Sequence, residues 1–526
     1  MKRFGHITII CLFLGFIYLP LFLSIIQEDK EVSQSEKRKL ARLPFLELNL
    51  KSLTDFPDGF EKYYNDHFGL REKFVLAYNF LYFKILRKSN LPSVTVGPGE
   101  WLFYNSEGVL LDYLGLMQHQ PDQYEIWKRT LEDRQEWFVK QGILYLFAVA
   151  PSKMMIYPEK LPDRVRKKAG TPVLDELEQY LAKSSTFTGY VDLRSDLLEA
   201  KQKQQVYFRT DTHWNPDGAY VAYLSIMERI KEWFPDVRIV PQSSLKKNPS
   251  IHSGDICISM NLANIISEEA DKTEISPACT TEDYVKMREF VHPNSEFAGN
   301  ANYLPIKNGC KGNPVKALII HDSFGLFLRP YFNETFGEVI YSHYVDLKDL
   351  KGLIKTEKPD VVIDVRTARN LYGMLEEDPE LDRSMLAKRF AQSTDVLLRL
   401  NAENGFSSLM ETHDADIVPD KDGFLVDATG NDPFLVLSFD TGVERGPLMA
   451  EVSITSPRET MMQVFYTTEE EKSFASSRQV SVKLTKGKSS VLFRLPHPET
   501  AGKIRLDPGI GQGEYKLHSL IIKREQ

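Results

Sequence analysis

Two hydrophobic periods divide this chain. At 56–87 aromatic and polar residues alternate at helical spacing, with Phe60, Tyr63, Tyr64, Phe68, Phe74, Tyr78, Leu81 and Ile85 on the apolar positions. That spacing predicts one or two amphipathic helices with those aromatics turned into a core. Gly97-Pro98-Gly99 marks a turn before Trp101-Leu102-Phe103-Tyr104. Helical patterns follow at 127–140, 172–182 and 217–233. Between and after them lie short apolar runs at 143–149, 190–193, 315–320 and 361–363, the third leading through a turn to an amphipathic helix near Leu326. Short β-branched runs alternating with helices predict a parallel sheet covered on both faces, and this α/β region is placed at 28–405.

From 414 to 526 the pattern changes. Runs at 434–439, 461–467, 480–484 and 490–495 are separated by Lys486-Gly487-Lys488, Pro496, Pro498 and Asp507-Pro508-Gly509. Short strands with turn residues between them predict an all-β sandwich. At the other end, Met1-Lys2-Arg3 precedes an apolar run at 7–26, interrupted by Thr8, Gly15, Pro20 and Ser24. A run of about 20 residues matches the ~30 Å hydrocarbon core of a bilayer. With no small-x-small cleavage site after it, 1–27 is expected to be an uncleaved, single-pass transmembrane helix of the cytoplasmic membrane. The basic residues would keep its start in the cytoplasm and place the catalytic body outside, in the periplasm or at the cell surface. The charged stretch 27–42 is then a tether.

Composition narrows the function classes. A chain of 526 residues is too long for one compact core. The net charge of −8, with no basic block, argues against nucleic acid as a partner. Cys11 falls inside the apolar run. Cys257, Cys279 and Cys310 leave two arrangements open, one disulfide with a free thiol or three buried thiols. No CxxC or His/Cys spacing suggests zinc, and no cofactor motif is present.

Three segments carry candidate chemistry. In Arg209-Thr210-Asp211-Thr212-His213-Trp214-Asn215, residues two apart project to the same side only in extended backbone. There Asp211 can accept from one ring nitrogen of His213 and leave the other as a general base. Alone, this spacing is more often that of an ordinary surface turn. In Leu318-Ile319-Ile320-His321-Asp322-Ser323-Phe324-Gly325, Ser323 stands at a strand-to-helix turn on the carboxyl edge of the sheet, where open α/β folds bind ligands. Backbone N–H groups at that turn would serve a developing oxyanion, and the hydroxyl needs a base such as His213 to become nucleophilic. A serine there also reads as a helix N-cap. Third, Ala150-Pro151-Ser152-Lys153 ends a strand at the same edge, as a substrate contact or a plain turn.

The order of Asp211-Thr212-His213-Trp214 and His321-Asp322-Ser323-Phe324-Gly325 resembles the alginate O-acetyltransferase family of SGNH-hydrolase-like proteins. Asp66-His67-Phe68-Gly69-Leu70-Arg71, the 99–104 segment, Ala150-Pro151-Ser152-Lys153 and Lys358-Pro359-Asp360-Val361-Val362-Ile363 add to the likeness, which spans 35–375. The resemblance implies a catalytic triad of Asp211, His213 and Ser323. It also implies acetyl transfer to a polysaccharide acceptor, with acetyl groups delivered by a membrane-bound O-acyltransferase partner. One departure is His321, where many such proteins have glycine; it either crowds the oxyanion site, competes as base, or is a spectator. The 504–509 segment resembles β-sandwich modules appended to sugar-active enzymes, with Phe465, Tyr466 and Arg505 as candidate sugar contacts. Rival readings are an esterase using the same triad, transfer of another acyl group such as D-alanyl to teichoic acid, a catalytically silent polysaccharide-binding scaffold, and a metal site from Asp211, His213, His321 and Asp322.

Overall fold

The computed structural model describes all residues except 1–5, 7–12, 16–17, 21, 25, 27–28, 34–37, 46–49, 118–122, 281–283, 288–304, 344–346, 372–378, 406, 443–445, 470, 476–477, 496–499 and 526. The largely apolar runs become strands of one sheet, joined by short strands that the sequence pattern did not mark. These are β1 (Leu144–Ala150), β2 (Tyr190–Val191), β3 (Val285–Lys286), β4 (Ile306–Asn308), β5 (Lys316–His321), β6 (Glu338–His343) and β7 (Val361–Thr367). Their spatial order is β2-β1-β7-β5-β6-β4-β3. The first five are parallel, and β4 and β3 add an antiparallel edge.

The longer helices are α1 (Leu50–His67), α2 (Arg71–Lys84), α3 (Gln123–Val139), α4 (Val173–Ser184), α5 (Leu193–Ala200), α6 (Pro216–Trp233), α7 (Arg329–Thr335), α8 (Leu347–Glu357) and α9 (Pro379–Gln392). Because alternate strand residues face opposite ways, each strand feeds two cores. Leu144, Leu146, Ala148, Ile319 and Ile363 pack with α5, α6 and α7 on one face. Tyr145, Phe147, Leu318, Ile320 and Val362 pack with α3, α4 and α8 on the other. Burial on both faces explains why the central strands are mostly apolar instead of alternating.

The all-β region contains β8 (Val396–Asn401), β9 (Leu409–His413), β10 (Ala415–Asp420), β11 (Gly423–Ala428), β12 (Phe434–Ser438), β13 (Leu448–Ser456), β14 (Thr460–Thr468), β15 (Gln479–Leu484), β16 (Gly487–Leu495), β17 (Thr500–Asp507) and β18 (Gly513–Arg524). One sheet runs β10-β11-β18-β13-β16, with β8 also paired to β18; the other runs β9-β12-β17-β14-β15. Their inner faces share one core, and Leu386 and Phe390 of α9 pack on Met449 of β13.

Three expectations need correction. Among the described residues no helix is long and apolar enough to cross a membrane. The transmembrane helix over 1–27, and the single-pass localisation built on it, are not found. Much of that run, Cys11 included, lies outside the described residues. Its described part is no isolated apolar rod: Gly69 N–H donates to the Pro20 carbonyl at 3.2 Å, tying it to the α1–α2 junction. The aromatic stripe of 56–87 does form helices, but Phe60, Tyr64, Tyr78, Leu81 and Ile85 are exposed, and Phe83 supplies the contact with a core. The rings stack instead along the helix surface, Phe56 on Phe60 and Tyr64 on Phe68. Third, Tyr466 is 2% exposed and packs inside the sandwich core, so it touches no sugar. The cysteines follow the first of the two open arrangements: Cys279 and Cys310 form a disulfide with Cα atoms 5.4 Å apart, and Cys257 is a buried free thiol.

Candidate active site

The segment around His213 is a tight excursion pinched at its base. Tyr207 and Trp214 form an antiparallel bridge, and Phe208 N–H donates to the His213 carbonyl at 3.2 Å. Asn215 then caps α6, its side chain accepting from Gly218 N–H, with Pro216 at the first helical position. Lys153, fully surrounded, donates to the carbonyls of Phe208, Arg209 and Asp211 at 3.1, 3.2 and 2.5 Å. Burial lowers its pKa to about 8 against the pull of Asp211, Asp255 and Glu268. Lys153 therefore acts as a bolt under the loop. Glu268 holds the same loop from outside, accepting from Thr210 N–H at 2.7 Å, Thr210 Oγ1 at 2.6 Å and Arg209 N–H at 2.8 Å.

Ser323 follows β5 after one residue, Asp322, and opens a 3₁₀ turn, Ser323–Leu328. Asp322 organises it: Oδ1 accepts from Phe324 N–H at 2.9 Å, and Oδ2 from Thr367 N–H at 2.7 Å and Asn370 Nδ2 at 2.8 Å. Gly325 is needed here, since a Cβ would lie 2.4 Å from His321 Cβ. Trp214 Nε1 donates to the Phe324 carbonyl at 3.1 Å and so ties the two segments together.

The structure brings Asp211, His213 and Ser323 together across 110 residues. His213 Nε2 lies 2.8 Å from Ser323 Oγ, and Nδ1 lies 2.6 Å from Asp211 Oδ1. With Nδ1–H donating to the carboxylate, Nε2 is the acceptor for the serine hydroxyl. The second oxygen of Asp211 is also taken. His252 Nε2 donates to Oδ2 at 2.9 Å and Asp255 N–H at 3.1 Å. Burial pushes the Asp211 carboxyl upward, but the bonds from His213 and His252 outweigh it and hold the group well below the usual carboxylate range. The close approach of residue 255 depends on Gly254, where a Cβ would meet the Thr210 carbonyl oxygen at 2.2 Å.

His252, Asp255 and Glu268 escaped the sequence reading. They lie on and around the ribbon Leu245–His252 paired with Glu268–Ile275, tens of residues downstream, and nothing local in the sequence marks them. His321 is fully buried. Its Nδ1–H donates to the Asp322 carbonyl at 2.6 Å, and Nε2 accepts from Arg329 at 3.1 Å. Burial, with Arg329 nearby, lowers its pKa well below the ordinary histidine value. Both ring nitrogens are committed, so it does not compete as base. Of the four residues considered for a metal, Asp211 and His213 converge, joined by Asp255, with ligand atoms within 4.8 Å of one another. The His213 nitrogen on that side is occupied by its bond to Asp211, so these contacts are those of a hydrogen-bonded relay.

A mostly parallel sheet flanked by helices, with Ser, His and Asp gathered at its carboxyl edge, is the arrangement of an SGNH-hydrolase-like α/β protein. Residues 94–284 match the family described as SGNH hydrolase-like domain, acetyltransferase AlgX. That match contains Asp211 and His213 and stops before Ser323. The chain is 31% identical over 170 residues to the probable alginate O-acetylase AlgJ of Pseudomonas syringae pv. tomato, covering 31% of this chain and 39% of that protein. It is 26% identical over 201 residues to the probable alginate O-acetylase AlgJ of Pseudomonas fluorescens, covering 37% of this chain and 48% of that protein. The matched stretch thus spans less than half of either relative. The solved O-acetyltransferase domain of Pseudomonas putida AlgJ is 16% identical, with a TM-score of 0.37, covering 56% of this chain and 100% of that one. The resemblance read from the sequence to the alginate O-acetyltransferases stands.

Proposed function

We propose that this chain is a serine-dependent O-acetyltransferase acting on hydroxyl groups of a polysaccharide. The supporting observation is the continuous relay from Asp211 through His213 to Ser323, with contacts of 2.6 and 2.8 Å. In this reading His213 Nε2 takes the Ser323 proton as Oγ attacks the acetyl carbonyl carbon. The carbonyl pair moves onto oxygen, then returns to expel the donor's oxygen, which takes the proton from His213. His213 next removes a proton from a glycan hydroxyl, which attacks the acyl-serine; the C–Oγ bond breaks and His213 returns the proton to Ser323 Oγ. Asp211 orients the imidazole and stabilises its cationic form. The names of the relatives, alginate O-acetylases, favour acetyl as the group and a polysaccharide as the acceptor. A membrane-bound O-acyltransferase is the donor partner this reading calls for.

The division into an acyltransferase domain at 28–405 and a sandwich at 414–526 belongs to the same reading, with β8 lent to the sandwich. On the sandwich's five-stranded sheet the Arg505 guanidinium lies 3.9 Å from the Phe434 ring centroid and 5.0 Å from that of Phe465. We assign this platform to glycan contact.

The test uses the purified chain, an activated acetyl ester and a hydroxyl-bearing oligosaccharide, with mass spectrometry of the sugar. Acetylated sugar is expected from the wild type. Ser323→Ala and His213→Ala are each expected to lower turnover by roughly 10³-fold or more. Hydrolysis without sugar acetylation would identify an esterase. Absence of labelling at Ser323 by a serine-reactive phosphonate would identify a silent scaffold.

A further inference from the structure

A cavity of about 30 Å³ lies beside the serine turn, walled by Phe103, Val109, Met154, Ser152, Thr367 and Phe324. Two of the hydroxyl residues that line it, Ser152 and Thr367, are unusual. Ser152 occupies the N-cap position of Lys153–Ile156 and Thr367 that of Ala368–Asn370, yet neither side chain caps its turn. A hydroxyl at that position ordinarily caps the turn and stabilises it. Both hydroxyl oxygens are buried without a hydrogen-bond partner, and Thr367 is 2% exposed. A buried hydroxyl left unpaired is destabilising, because it has given up its bonds to water without replacement. Two on the wall of one cavity mark a place kept for a polar group arriving from outside.

Their place in the sheet identifies that group. Thr367 pairs with Ala150 across β7 and β1, and its N–H donates to Asp322 Oδ2 at 2.7 Å. The carboxyl ends of the adjoining strands β1, β7 and β5 therefore present Ser152, Thr367 and Ser323 side by side. Two backbone donors expected to serve the oxyanion are already committed: Phe324 N–H to Asp322 Oδ1 and Gly325 N–H to the Asp322 carbonyl.

We propose that this cavity is the acyl pocket, in which the Ser152 and Thr367 hydroxyls donate to the carbonyl oxygen of the acetyl group. This rests on the reading of Ser323 as the acylated residue. The acetyl methyl packs against Phe103, Val109 and Met154. At roughly 10–15 Å³ per water-sized group, the space takes two such groups, the methyl and the oxygen of an acetyl, and a longer chain overfills it. Negative charge grows on the oxygen as Ser323 adds, so both donors bind the tetrahedral state more strongly than the ester. They act on kcat more than on KM.

The full chain is assayed with p-nitrophenyl acetate and butyrate, alongside phosphonate labelling of Ser323 in every variant. The wild type is expected to favour acetate by about tenfold or more, and Met154→Ala and Val109→Ala to raise the butyrate-to-acetate ratio of kcat/KM by about fivefold or more. Ser152→Ala and Thr367→Val are expected to lower kcat on acetate about ten- to a hundredfold with little change in KM, and Thr367→Ser to restore it. Unchanged ratios in enlarged variants that still label at Ser323 overturn the pocket. Should both enlarged variants lose labelling, Thr367→Val decides, and a rise in KM with kcat intact overturns the proposal. A wild type that neither labels nor turns over acetate instead overturns the acyl-transfer reading on which the pocket rests.

Discussion

At the scale of single residues, the site turns on the two oxygens of Asp211, one held by His213 and the other by His252. Burial lowers the proton affinity of His252, but its bond to Asp211 and the charges of Asp211, Glu268 and Asp255 outweigh this and raise its pKa above 6.5. A histidine whose folded pKa exceeds its unfolded one contributes stability that is complete below the unfolded value and is lost as pH rises through the folded value. The melting temperature of the wild type should therefore carry a downward component as pH rises above 6.5 and through the raised folded value. His252→Gln should flatten that component, and calorimetry across the range measures it; parallel profiles for the two proteins would refute the assignment. The Asp211–His213 pairing was legible in the sequence because it is local: two residues apart on extended backbone. His252 and Glu268 were not, because they reach the loop from a ribbon that carries no catalytic spacing of its own. His321 was visible in the sequence, but its neutral, doubly bonded state follows from burial and Arg329, which no motif encodes.

At the scale of elements, the strands of the central sheet were the most readable part, since burial on both faces leaves largely apolar runs at 143–149, 315–320 and 361–363. The helices of 56–87 were readable as helices and misread in orientation. Periodicity reports that a face is apolar, not what covers it. The turn after β5 is 3₁₀, and its tightness depends on Gly325. A Cβ there would stand 2.4 Å from His321 Cβ and 2.5 Å from Cγ. The His321 ring is fixed by the Asp322 carbonyl on one side and Arg329 on the other, so the strain must pass into the turn that bears Ser323. Gly325→Ala should cost about 1–3 kcal/mol of stability. Well below its melting temperature it should also slow phosphonate labelling of Ser323, and a full labelling rate in a destabilised Gly325→Ala protein would show that the turn absorbs the methyl without moving Ser323.

At the scale of the whole molecule, the two halves are joined by buried charge that no hydrophobic pattern predicts. Glu525, just past β18, receives Arg494 of β16 at 2.7 and 2.8 Å and Arg389 of α9 at 2.8 Å. Arg129 of α3 completes the set. Asp133 of α3 takes a further bond from Arg389. Burial pushes the Glu525 carboxyl up, but Arg129 and Arg494 outweigh it and bring its pKa to about 2. A depressed carboxylate contributes stability above its unfolded pKa, here 4.5, and loses it as pH falls toward the folded value. Asp133 opposes this in part, its carboxyl being raised mainly by burial. Replacing one member of such a network leaves the others buried and unpaired, at a cost of about 3–5 kcal/mol. Glu525→Gln should therefore weaken the α3–α9–sandwich junction at neutral pH and remove much of the acid sensitivity below about pH 4.5. In calorimetry the sandwich of the variant should melt apart from the α/β sheet, because each half keeps its own core while the join between them loses its anion. A variant melting with the wild type's midpoint and number of transitions would mean that α9 packing on Met449, not charge, holds the halves together.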